Sequence, residues 1–303
     1  IFIDTWGMAA AGNPELAAGY ARAAASVTHD GNGVYGGIFI AVCVSLAFIE
    51  DDIEQVINMA LEYIPSDCEY TRVVKAVQVY HAGHPDDWRA CFRYVRENFG
   101  YDRYPGNCHI IPNAAVVILA LLYGNGEFSR TICISTMCGW DTDCNDGNVA
   151  AILGIHCGLD GIDHTRWREP INDLLIGSGV MGSMNIMDIP ATASHIARLA
   201  YEAAGEEIPE KWSDILVKRE GICHFEFPGS THTVRVRTAG KLGNNQRTEF
   251  TVRNSAENAH TGQRSLKITA RPLEAGSCLY VYKKTYYDQN DFRRCPSSRR
   301  SKN

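Results

Sequence analysis

Residues 34–49 are apolar almost all round, whichever side of a helix is considered. That run sets the terms for the rest of the chain. A helix with no polar face has nothing to offer water, so it must sit inside a jacket of other helices. Its best stretch, 38–49, is too short to span a bilayer, and no other run in the sequence is long enough either. A second apolar helix is expected from Pro112-Asn113 through Tyr123.

The jacket announces itself through helix starts. Asn13-Pro14-Glu15 supplies a capping side chain, a first-turn proline and an acid at the positive end of the dipole. Asp51-Asp52 opens a helix through Tyr63, Pro65-Ser66-Asp67 caps the next, and Pro85-Asp86-Asp87 starts one running to about Phe99. Glu50-Asp51-Asp52 reads as a cap and solvated turn. Residues 129–137 are helical, and further helices are expected around 169–176 and 191–204, on either side of a Gly/Ser/Met-rich loop at 177–187. Gly147, Ala151, Gly154 and Gly158 recur at helical spacing and leave one face nearly bare, which predicts a second helix crossing there at short range. The first part of the chain thus reads as all-helical.

Past residue 205 the texture changes. His224-Phe225-Glu226-Phe227 and the stretches 231–236, 248–253, 265–269 and 279–287 alternate apolar and polar residues between turn-forming ones, the period of half-buried strands. The expected organisation is a helical domain at 1–215, a partial β-domain at 222–292 and a disordered tail at 293–303. The β-domain is short for a complete two-sheet jelly roll. Room for this division exists in 303 residues, of which 45% are hydrophobic and 21% charged. A formal net charge of -6 argues against a general nucleic-acid binder, since nothing outside the tail is basic enough to follow phosphates. The 11 cysteines are scattered without a Cys-x-x-Cys pair, which leans towards a reducing, cytoplasmic compartment.

Chemistry concentrates in Cys138-Gly139-Trp140-Asp141-Thr142-Asp143-Cys144-Asn145-Asp146-Gly147. Two carboxylates two residues apart, on a loop entering a helix, are what a hard cation such as Mg²⁺ or Mn²⁺ requires. Asp143 or Asn145 acting only as a cap for the following helix is the plainer alternative. An EF-hand is excluded, since position 6 of such a loop is Asp146 instead of Gly and position 12 is Ile152 instead of Glu.

The stretch 139–158 resembles the metal motif of the ADP-ribosylglycohydrolase family, in its dinitrogenase-reductase-activating glycohydrolase-like branch. There, Gly-Gly-Asp-Thr-Asp-Thr precedes a small-residue helix. Ser26-Val27-Thr28-His29-Asp30, Tyr35-Gly36, His109-x-x-Pro112-Asn113 and Gly124-x-Gly126 agree with it. The resemblance covers roughly 1–215 and implies an all-α bundle with a binuclear Mg²⁺ or Mn²⁺ site. It implies cleavage of the glycosidic bond joining ADP-ribose to a protein side chain or small molecule. On this reading Asp141, Asp143 and the position of Cys144 are the metal ligands, while His29, Asp30, His109, Asn113 and Trp140 contact the substrate.

Three positions depart from the family pattern. Its last Thr is Cys144, a poor ligand for a hard cation. Its second Gly is Trp140, which lines the cleft or the adjacent core and offers a ring for stacking. Its other half-site, with a Thr-Asp-Asp cluster and the general acid/base region, is expected upstream of Ile1, so that this chain alone turns over poorly. Separately, Ala259-His260-Thr261-Gly262-Gln263-Arg264-Ser265-Leu266 resembles a segment of galactose-binding-like jelly rolls, which implies a glycan as a ligand. Two alternatives to the hydrolase remain open here: a non-catalytic binding or structural relative, as among the crystallins that resemble this family, and a carbohydrate binder working through its β-domain.

Overall fold

A computed structural model describes residues 2–106, 108–177, 179, 182–218, 223–239, 250–271 and 276–286. The chain opens with α1 (Asp4–Ala9) and α2 (Pro14–Ala25), which pack on α3 (Gly31–Leu46). Twelve of the 16 residues of α3 are buried, so the apolar run is the central helix, set three residues earlier than its hydropathy suggests. Around it come α4 (Ile53–Leu61), α5 (Glu69–Gly83) and α6 (Trp88–Phe99), then α7 (Ile110–Gly124), buried along nearly its whole length. Helices α5 and α6 lie against α7, and α8 (Phe128–Cys138) and α9 (Thr142–Cys157) return along it. Each fully buried Leu or Ile in α3 and α7 contributes about 1.5–3 kcal/mol relative to exposure.

Helix starts follow the polar residues that precede them. Asn13 Oδ1 accepts from Leu16 N–H at 3.1 Å, Asp52 from Glu54 N–H at 2.8 Å and Asp87 from Ala90 N–H at 2.8 Å. The start of α5 corrects the expectation of a cap at 65–67. Cys68 occupies the cap, its sulfur accepting from Thr71 N–H at 3.4 Å, while the Thr71 hydroxyl donates to the Pro65 carbonyl at 2.8 Å. A close helix crossing does exist, at Gly36. A Cβ there would stand 2.7 Å from Ile110 and 2.8 Å from Tyr70, so the missing side chain lets α3 meet the start of α7. The crossing predicted on α9 does not exist. A Cβ at Gly147 or Gly158 meets nothing within 4 Å among the described residues, and at Gly154 the nearest atoms, on Phe128 and Ile162, are 3.8 Å away.

The chain divides into two compact units, Ile1–Asp163 with Ile196–Ile208, and His164–His195 with Pro209–Asn303. In the second, the helix expected at 169–176 gives way to a strand. Asn172 and Asp173 both adopt the left-handed conformation (φ 52° and 58°), which stops a helix. Strand β1 (Leu174–Ile176) then pairs antiparallel with β2 (Ile186–Asp188), and α10 (Ile189–Ala204) follows, its residues from Ile196 on counted in the first unit. Later come β3 (Arg235–Ala239), β4 (Phe250–Ser255), β5 (Ser265–Ala270) and β6 (Cys278–Tyr282). They form two antiparallel ladders, β3 with β6 and β4 with β5. His224-Phe225-Glu226-Phe227, read as a strand, is not one, because Phe225 turns left-handed at φ 59°. The tail at 293–303 lies outside the described residues. Among the described residues no helix is long and apolar enough to cross a membrane.

The interior of the second unit is polar. Asp173 Oδ2 accepts from Ser230 Oγ at 2.8 Å and from the N–H groups of Thr231 and His232 at 2.8 and 2.9 Å. Asp188 accepts from Ala191 N–H at 2.8 Å and from Lys283 Nζ at 2.5 Å. His232 takes the N–H of Phe225 on Nε2 at 3.3 Å, so in the neutral ring Nδ1 carries the hydrogen and donates to Asp188 at 3.2 Å.

Candidate metal centre

The turn from α8 to α9 is where the acidic motif lies. Gly139 closes α8 in the left-handed region (φ 72°), its N–H returning to the Thr136 carbonyl. Asp141 is left-handed too (φ 44°, ψ 52°), a conformation that costs a residue with a Cβ about 1 kcal/mol or more. Helix α9 starts at Thr142, earlier than its apolar part suggests, so Asp143 and Cys144 occupy its first turn. Neither Asp143 nor Asn145 caps it. No side chain does, and Asn145 is buried with its amide donated to the Trp140 carbonyl at 2.7 Å.

This geometry gathers Asp141, Asp143 and Cys144, whose ligand atoms all lie within 4.8 Å of one another. The two carboxylates fit a hard divalent cation, because they are charged oxygen donors at the positive end of a helix with no capping bond to compete. The thiol does not fit. Burial, its hydrogen bond to Asp141 and the charges of Asp141 and Asp143 push the Cys144 thiol up to about 12, so it stays protonated at neutral pH. Sulfur is a soft donor and a poor ligand for a hard ion.

Asp141 is held from α7. Asn113, buried in the first turn of that helix, donates Nδ2 to Asp141 Oδ2, and the Tyr101 hydroxyl donates to Asn113 Oδ1 at 2.5 Å. Burial and the Asp141 charge push the Tyr101 hydroxyl up to about 12, so the chain of donors keeps its direction across the physiological range. Asn113 is therefore not a cap. His109 fills that role, its Nδ1 accepting from Ile111 N–H at 3.2 Å.

Two clefts of the helical unit adjoin these residues. One, of about 750 Å³, brings together His29, Asp30 and His109 with Asn32 and Cys108. His29 Nδ1 lies 2.7 Å from the Thr28 hydroxyl, and a Cβ at Gly33 would approach the His29 side chain to 3.0 Å, so that glycine lets the imidazole fold over the start of α3. Asp30 occupies the cap position of α3 but makes no capping bond, which leaves its carboxylate to the cleft. His109 stacks obliquely on Tyr104, ring centres 5.1 Å apart. Cys108 ties this cleft to the acids: a hydrogen bond to Asp141, then burial, raise its thiol above the usual range. The second cleft, of about 980 Å³, is walled by Phe92, Tyr101 and Trp140.

The structure thus gathers the residues singled out in sequence into two adjoining groups. Asp141, Asp143, Cys144, Asn113 and Trp140 surround the α8–α9 turn, whereas His29, Asp30 and His109 share a cleft. Sequence reasoning missed Tyr101 and Cys108. Both sit in the loop before α7, and nothing in their spacing ties them to Asp141, far along the chain. A family model described as ADP-ribosylglycohydrolase matches residues 5–207. No curated protein and no solved structure matches the chain.

Proposed function

The chain belongs to the ADP-ribosylglycohydrolase family, and from that premise we propose that it is a metal-dependent hydrolase of the glycosidic bond in ADP-ribosylated protein or a related N- or O-glycoside. The convergence of Asp141 and Asp143 at the start of α9, next to two clefts, carries this reading. Asp141 and Asp143 would hold Mg²⁺ or Mn²⁺. Such an ion would orient ribose hydroxyls and a water and offset charge developing at the anomeric carbon.

The chain's own residues do the rest. Asn113 and Tyr101 fix the Asp141 carboxylate in one orientation, so that little reorganisation is needed when a cation binds. His29, Asp30 and His109 line a cleft with the polar groups a nucleotide sugar needs. Trp140 offers a ring for stacking on a sugar or base.

The test is Mg²⁺-dependent release of ADP-ribose from an ADP-ribosylated protein. Asp141→Asn is expected to lower the rate about a hundredfold or more, and Asn113→Ala about tenfold, the loss for a residue that positions a ligand. An Asp141→Asn enzyme as fast as the parent refutes the assignment. A non-catalytic relative is the second reading, favoured by the soft sulfur of Cys144 at the third ligand position. It predicts that Mg²⁺ binds, in an Asp141-dependent way, with no turnover.

A further inference from the structure

The donors at the α8–α9 turn are not those of a hard ion alone. Cys144 belongs to the group whose ligand atoms lie within 4.8 Å of one another, and its thiol hydrogen-bonds to Asp141. A second thiol reaches the same carboxylate. Cys108, exposed and left-handed at φ 61° in the loop before α7, also hydrogen-bonds to Asp141 and feels the charge of Asp143. The two thiols are near enough for Cys108 to act electrostatically on Cys144. Two carboxylates and two sulfurs thus meet at one turn, inside one compact unit.

Sulfur changes which ion such a turn prefers. Mg²⁺ takes oxygen donors in near-octahedral geometry and keeps several waters, so Cys108 and Cys144 have nothing to give it. Zn²⁺ accepts thiolate and carboxylate together and is content with four donors, the number present here. It also stands above Mn²⁺ in the general order of affinity for mixed oxygen and sulfur sites. Protonation of the free thiols is no barrier. A zinc ion displaces the proton of each thiol it binds, and that proton passes to solvent. Asp141, held in place by Asn113 and Tyr101, is a fixed first donor on which the sulfurs can close.

Resting on the reading of this turn as a metal centre, we propose that Cys108 and Cys144 make it a site for a thiophilic divalent ion of the zinc class, which displaces Mg²⁺ from Asp141 and Asp143. An ion held by sulfur occupies the same carboxylates that Mg²⁺ needs, so the two exclude one another.

The test is a titration of the reduced, metal-stripped full chain with Co²⁺, which absorbs in the near ultraviolet when thiolate binds it. A sulfur-to-cobalt band should appear, be erased by Zn²⁺ and survive about a hundredfold excess of Mg²⁺. Cys144→Ser and Cys108→Ser should each weaken Zn²⁺ binding about tenfold or more and diminish the band, while Mg²⁺ binding stays as in the parent. Cys278→Ser, at an exposed cysteine of the second unit, should change neither. A parent chain without the band overturns the proposal, as do Cys144→Ser and Cys108→Ser variants that bind Zn²⁺ like the parent, or Mg²⁺ that displaces Zn²⁺ at similar concentration. The hydrolase reading fails separately. Thiol-dependent zinc binding in a chain that releases no ADP-ribose with Mg²⁺ supports this proposal and sinks that reading, whereas Mg²⁺-dependent release that Zn²⁺ leaves untouched does the reverse.

Discussion

The two units bury different balances of apolar and polar side chains. In the helical unit, α3 and α7 contribute a mainly apolar interior between Val34 and Leu46 and between Ile111 and Tyr123, interrupted by buried Ser45 and Asn113. In the second unit, Leu216 is the one large apolar side chain buried among the described residues, while Asp173, Asp188, His224, Ser230, His232 and Thr233 are all buried. Apolar burial accumulates in small independent increments, so it tolerates partial loss. A network centred on two carboxylates is interdependent: each donor that satisfies Asp188 would be stranded without it. One chain therefore contains an interior that should weaken gradually and one that should fail together.

The largest expected effect breaks the polar side of this contrast. Asp188→Ala leaves His232 and Lys283 without their common acceptor and should cost about 3–5 kcal/mol, concentrated in the second unit. Leu119→Ala, in the middle of α7, should cost about 2–5 kcal/mol, concentrated in the first. Hydrogen exchange read by mass spectrometry separates the two. Peptides around 186–191 and 230–233 should lose protection in the former, and those of α3 and α7 in the latter. If both variants loosen both units alike, the interiors are not distinct.

Acid sharpens the contrast. Burial alone would raise the Asp188 carboxyl, but hydrogen bonds from His232, Lys283 and the Ala191 N–H outweigh it and hold the group well below the usual carboxylate range. Its folded pKa lies under the unfolded value of about 4. Its stabilising contribution is complete above that value and is lost as pH falls below it towards the folded pKa. Asp4 in α1 runs the other way, its carboxyl raised by burial in spite of the amide of Asn148, so protonation relieves the helical unit. Exchange measured from pH 6 down to pH 2 should show the second unit opening first. The smallest effect belongs to a cap: Glu127 accepts from the N–H groups of Ser129 and Arg130 at 2.9 and 2.6 Å. Glu127→Ala should lower the stability of the first unit by about 1 kcal/mol in urea unfolding and leave exchange in the second untouched.

The helical unit was the more legible in sequence because its signals are local. An all-round apolar run has one outcome, and Asn13, Asp52 and Asp87 cap by a rule that reads directly off the chain. Cys68 and His109 cap by the same geometry but belong to residue types seldom used so, and they went unnoticed. Asp141 and Asp143 were visible as a pair. The path from Tyr101 through Asn113 to Asp141 was not, because it joins three elements, α7 among them, that only packing brings together. Leu174–Ile176 illustrates the limit of short apolar runs, which fit a helix and a strand equally until a partner, here Ile186–Asp188, decides. The small-residue stripe of α9 shows the converse: spacing gives the face, but not what lies opposite it.

That bare stripe has a practical use. Gly147 lies inside α9, one turn beyond Asp143, with open space where a side chain would extend. Neighbours at this spacing are about 5–6 Å apart between Cβ atoms. A fluorinated amino acid introduced at 147 would sit within relaxation range of any paramagnetic ion at the carboxylates, without disturbing a packed neighbour. Mn²⁺ binding at Asp141 and Asp143 would broaden its ¹⁹F resonance, Mg²⁺ would compete the broadening away, and occupancy would become a spectroscopic quantity that needs no substrate.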